Sequence, residues 1–144
     1  MKVDFWQYSG DGAEKVVVLL AKRILAEGER LLVVSKDPDQ RDAISRALWK
    51  AEPTSFLANG EAGEPGEDSQ PILLSADLAP INGASHVVIA DGEWRAASGF
   101  ARVFLLFDAS GRDAARSTWR GLDGTEGLER RYFAQEDGRW VQKG

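Results

Sequence analysis

Three arginines, Arg112, Arg116 and Arg120, stand at i, i+4 and i+8 near the end of the chain, with Trp119 beside the last of them. On a helix this spacing sets three guanidinium groups along one stripe. Guanidinium groups next to an indole suit a peptide that brings carboxylates and an aromatic side chain, held by forked hydrogen bonds and ring contact. Two plainer readings stand beside this one. Trp119 packs inward if Ala115 and Leu122, which share its helical face, mark a core stripe. The arginines are neutralised in a surface network if Asp108, Asp113 and Asp123 reach them.

A second pair of aromatics flanks the break at Pro53: Leu48-Trp49 before it and Ser55-Phe56-Leu57 after it. Trp49 lies roughly 100° around a helix from Leu48 and roughly 140° from Ile44, so it leaves the inward stripe. Trp49 and Phe56 together read either as interface anchors or as residues that a long loop folds back to cover.

Signals for catalysis are sparse. The chain has no cysteine and one histidine, His86, which removes thiolate nucleophiles, disulfides and Cys- or His-rich metal sites. No Gly-x-Ser-x-Gly turn or Walker motif is present. Asp91 and Asp108 follow apolar runs, a place for active-site acids but equally for turn and capping residues. Gly10-Asp11-Gly12 before a helix invites a nucleotide-binding reading, yet Lys15 stands where the third glycine belongs, and Asp11 would set a negative charge against the phosphates. A small nucleotide-binding protein or enzyme built on that turn is the alternative reading. No catalytic residue, cofactor or metal is expected.

The elements that position these residues follow from periodicity. Val3–Tyr8 reads as a strand. A helix is expected from Ala13 to Glu27, capped by Asp11 with Glu14 and left through Gly28. Leu31-Leu32-Val33-Val34 fits a strand buried on both faces, followed by a helix with Asp37 as cap, Pro38 at its first position and Gln40 closing the capping box. Asn59–Gln70 reads as a long solvated loop. Ile72–Ser75, His86–Ala90 and Val103–Phe107 are further strands, Ser110 is a cap for a helix from Gly111 to about Leu122, and Asp137-Gly138 centres a terminal hairpin spanning Arg131–Val141. Buried strands alternating with helices predict an α/β fold: a three-layer, Rossmann-like domain over 1–144 with a mostly parallel sheet and a C-terminal β hairpin.

Composition bounds the partners. The 144 residues carry 18 Lys and Arg against 23 Asp and Glu, a net charge of −5, which disfavours broad contact with nucleic-acid phosphates. Apolar runs are too short for a membrane span, and the chain opens on strand-like sequence without a signal peptide, so a cytoplasmic protein is expected.

Read in order, Val3-Asp4-Phe5-Trp6, Leu48-Trp49 with Ser55-Phe56-Leu57, and Ala115-Arg116 with Trp119-Arg120 and Gly127 resemble the chi subunit of bacterial DNA polymerase III holoenzyme over nearly the whole chain. The resemblance implies a non-enzymatic adaptor of the clamp-loader assembly. It further implies that Arg116, Trp119 and Arg120 bind the acidic, aromatic-ended tail of single-stranded-DNA-binding protein, with Arg112 on the same stripe. Trp49 and Phe56 would meet the psi subunit or another clamp-loader subunit, and DNA would be reached only through the tail. Where the family commonly continues the Phe-Leu pair with Pro-His, this chain has Ala58-Asn59.

Overall fold

The computed structural model describes residues 1–10, 12–51 and 57–144. Its strands are β1 (Lys2–Gln7), β2 (Leu31–Val34), β3 (Asn59–Glu61), β4 (Ile72–Ser75), β5 (His86–Ile89), β6 (Arg102–Phe107), β7 (Glu129–Glu136) and β8 (Arg139–Gln142). They form one sheet in the order β3-β4-β2-β5-β6-β1-β7-β8, parallel at every pairing except the antiparallel β7–β8. The helices are α1 (Ala13–Ala26), α2 (Pro38–Lys50) and α3 (Arg112–Gly121). The α/β class with a mostly parallel sheet and terminal hairpin is as the sequence predicts.

Side-chain alternation divides the core between the two sheet faces. Trp6, Phe104 and Leu106 face α1 and α2, where Val17, Leu20, Ile24, Ile44 and Leu48 meet them. Val3, Phe5, Leu105 and Phe107 face the other side, which α3 covers through Ala115, together with Ala84, Ala97 and Phe100 from the connections flanking β5. Strands β2, β4 and β5 are buried along their whole length, which explains their unbroken apolar sequence.

Local chemistry departs from expectation at the helix starts. Gly12, at φ 88°, occupies the position before α1 with no side-chain cap, and Asp11 lies outside the described residues. Asp37 caps α2 as expected by accepting from the Asp39 amide at 3.0 Å. Gln40 does not close a capping box; it accepts from Ser35 Oγ and donates to the Ala90 carbonyl, tying α2 to the ends of β2 and β5. Before α3 the cap is Asp108, not Ser110: its carboxylate accepts from the Ser110 and Gly111 amides around one 3-10 turn, and α3 itself begins at Arg112.

The expected loop Asn59–Gln70 is partly strand. Asn59 is buried because its side chain bridges Ser45 Oγ on α2 and the Leu57 carbonyl, and this anchors β3 beside β4. At the chain's end, Asp137 (φ 50°) and Gly138 (φ 77°) adopt the left-handed conformations of a tight hairpin turn. The hairpin is no appendage. Strand β7 pairs with β1 from Lys2↔Glu129 to Gln7↔Ala134 and carries the sheet outward.

That pairing is fastened by a buried carboxylate. Asp4 on β1, with a side chain only 2% exposed, accepts from Arg102 Nη2 on β6 at 2.8 Å and from Arg131 Nε and Nη2 on β7 at 3.0 and 2.8 Å. Removing one member of a buried charge group leaves the others desolvated and unpaired. Asp4→Ala is expected to destabilise the fold by about 2–3 kcal/mol, below the range for fully buried pairs because both guanidinium groups reach solvent. Chemical denaturation followed by circular dichroism measures this, with the exposed Glu129→Ala as a control expected to change little.

Candidate functional site

Helix α3 is seated on the sheet by few residues. Ala115 is the buried one, and Trp119, one turn later, is half-buried. The indole meets Phe5 of β1 edge-on at 5.2 Å between ring centres and Tyr132 of β7 at 6.0 Å. Tyr132 in turn stacks on Phe5 at 6.2 Å and donates its hydroxyl hydrogen bond to Gln7 Oε1 at 2.7 Å. Trp119 is therefore neither sealed in the core nor free on the surface. It packs on one side as the inward reading expects, while the residue as a whole keeps some exposure.

Arg116 and Arg120 are exposed and Arg112 is partly so. Among the described residues none of the three forms an ion pair, so the expected neutralising network is absent there. Asp123 pairs instead with Arg130 at 2.7 Å, and Asp108 is spent as the helix cap. The one side-chain contact of the stripe is long, Arg120 Nη2 to Ser117 Oγ at 3.5 Å. Arg112 also sits at the N-terminal end of α3, where the helix dipole disfavours a cation by about 0.3–1 kcal/mol.

Electrostatics place Tyr132 in the same site. Burial pushes its phenol above the ordinary tyrosine value, while Arg116 and Arg112 pull it back. Arg130, from the same strand and face, lies over the Trp119 ring at 4.3 Å and donates to the Trp119 carbonyl. The chain's last residue approaches as well: a Cβ built on Gly144 would lie 3.5 Å from the outer edge of the indole. The sequence reading missed Arg130 and Tyr132. Their signal was the period of two along Glu129–Glu136, which sets Arg130 and Tyr132 on one face and Arg131 and Phe133 on the other.

Trp49 lies in the last turn of α2, on the opposite side of the sheet, and is 62% exposed, although Leu48 beside it is buried. Leu57 is buried against the α1–α2 face. Phe56 lies outside the described residues.

Two acids, Asp91 and Asp108, stand just past the C-terminal ends of β5 and β6. Asp91 takes a fork from Arg95 and the amides of Lys36 and Glu93; burial opposes its charge, but these bonds hold its carboxyl below the usual carboxylate range. The hydrogen bonds from Ser110 and the amides that follow Asp108 do the same for Asp108. Burial and then Asp108 and Glu14 push the Tyr8 phenol up. Glu14 folds over Gly12 so closely that a Cβ there would lie 2.6 Å from its oxygen. A phosphate at Gly12 would meet the Glu14 carboxylate, which argues against the nucleotide alternative. His86 is buried in β5 with its Nδ1 against Ser85 Oγ at 2.8 Å, as a structural imidazole would be.

The geometry of the stripe is testable without a ligand. Taking away the Arg116 charge is expected to move Tyr132 ionisation to still higher pH in Arg116→Ala, leaving Tyr8 unchanged. Ultraviolet difference titration of the two tyrosines measures it.

Residues 1–127 match the model of the DNA polymerase III chi subunit family, HolC. A search of curated protein sequences returns no significant match. Among the described residues no helix is long and apolar enough to cross a membrane.

Proposed function

The chain belongs to the DNA polymerase III chi subunit family, HolC, and is an accessory subunit of that polymerase; from this premise we propose that its α3 face binds the acidic, aromatic-ended tail of single-stranded-DNA-binding protein and links it to the clamp loader. The observation that carries the proposal is the group of three guanidinium groups, without ion pairs among the described residues, beside Trp119 and Tyr132, on a chain of net charge −5. Arg112, Arg116 and Arg120 offer donors to the tail's carboxylates, and Trp119 with Tyr132 offers a wall to its terminal aromatic ring.

The rest of the chain serves this role without chemistry of its own. Trp49, exposed on the far side of the sheet, is the anchor for psi or another clamp-loader subunit, with Phe56 as its companion. The two surfaces lie on opposite sheet faces, so one protein can hold both partners at once. DNA is reached indirectly, because tethering raises local concentration where three arginines alone would bind phosphates weakly. The working compartment is that of the replication machinery, the cytoplasm.

A labelled peptide ending in several acidic residues and Pro-Phe, titrated by fluorescence anisotropy, tests the reading. A hydrogen bond between charged groups contributes about 1.5–3 kcal/mol, and exposure of Arg116 sets its loss toward the low end, roughly tenfold in affinity for Arg116→Ala. Added salt is expected to weaken wild-type binding. Equal binding by wild type and Arg116→Ala contradicts the assignment.

A further inference from the structure

On the α1 side of the sheet, away from α3, a cavity of about 350 Å³ opens between the second half of α1 and strands β6, β1, β7 and β8. That volume lies within the range of small-ligand pockets. Its aromatic lining is continuous: the Trp6 ring meets Phe133 at 5.1 Å, Trp140 at 4.6 Å and Phe104 at 6.4 Å. Guanidinium groups lie over two of these faces, Arg102 over Phe104 at 4.8 Å and Arg131 over Phe133 at 5.3 Å.

Two donors here lack acceptors. Trp6 Nε1 and Arg102 Nε are buried without a hydrogen-bond partner, and both belong to residues that line the cavity. Such groups are uncommon in native interiors and call for an explanation. Asp4 does not supply it: the three bonds it accepts come from Arg102 Nη2 and from Arg131 Nε and Nη2. Arg23 on the rim has no ion pair among the described residues. The lining holds three arginines against Asp4 and Glu27, a surplus of one positive charge.

We propose that this cavity binds an aromatic carboxylate: one planar ring against the aromatic wall, and one monoanionic group for the surplus charge. A dianionic phosphate would exceed that surplus, and an uncharged ring would leave it unanswered. Arg131, Phe133 and Trp140 lie beyond the region matched by the family, so the hairpin that extends the sheet also completes this site. The ring and carboxylate have two sources, a free aromatic acid or the C-terminal aromatic residue of a peptide.

The test is nuclear magnetic resonance of the full chain, following the indole N–H of Trp6 during titration with hydrocinnamate, with its uncharged amide, and with an N-acetylated peptide ending in phenylalanine. Saturable movement of the Trp6 signal by the acid or the peptide, with Kd of about 1 mM or below, is the expected result; the tighter of the two identifies the source. Arg23→Gln, an exposed change, is expected to weaken binding at least about threefold through loss of a cation, and Arg46→Gln, an exposed cation of α2 outside the cavity lining, to leave it unchanged. No movement of Trp6, an equal response to acid and amide, or unaltered affinity in Arg23→Gln overturns the proposal. Because the readout sits on the α1 face, its failure leaves the α3 reading intact.

Discussion

The contact of Trp119 with Phe5 and Tyr132 is what the candidate surface depends on. Helix α3 is ten residues long and polar, with one fully buried side chain, so its own burial gives it little hold on the sheet. The indole supplies that hold through ring contacts to a central strand and to the strand beside it. Once the indole is seated, helical geometry fixes where Arg112, Arg116 and Arg120 project. Arg130 closes the arrangement from β7, covering the ring and taking up Asp123, which would otherwise be available to the stripe. The charge of α3 is thus left uncompensated by the same packing that positions it.

This makes β1 the element that both faces share. Its odd residues, Val3 and Phe5, support α3, while its even residues, Asp4 and Trp6, build the opposite face. Asp4 draws Arg102 and Arg131 together across three neighbouring strands, which fixes the register of β7 and with it the height at which Tyr132 meets Trp119. A charge group on one face therefore sets the aromatic contacts on the other. Such coupling is carried by rigid backbone and needs no moving part.

Local signals in the sequence located most elements because they depend on neighbours in the chain. The apolar run Leu31–Val34, the Asp37-Pro38 start and the Asp137-Gly138 turn each act over a few residues and are read directly. The arginine stripe and the outward position of Trp49 follow from helical period alone. What stayed hidden depends on distant partners. Strand β3 is held by Ser45 from α2, Asp123 is diverted by Arg130, and Tyr132 reaches Trp119 only because β7 pairs with a strand 127 residues earlier. The cavity on the α1 face was equally illegible, since its walls come from five separate elements.

The direct measurement of the central claim is a double-mutant cycle between Arg116 and a single acidic position of the tail peptide. If the guanidinium pairs with that carboxylate, removing both groups costs less than the sum of the separate losses, with a coupling of about 1.5 kcal/mol or more for a close charge pair. Additive losses, at every acidic position of the peptide and for Arg112 and Arg120 as well as Arg116, would contradict a tail seated on this helix.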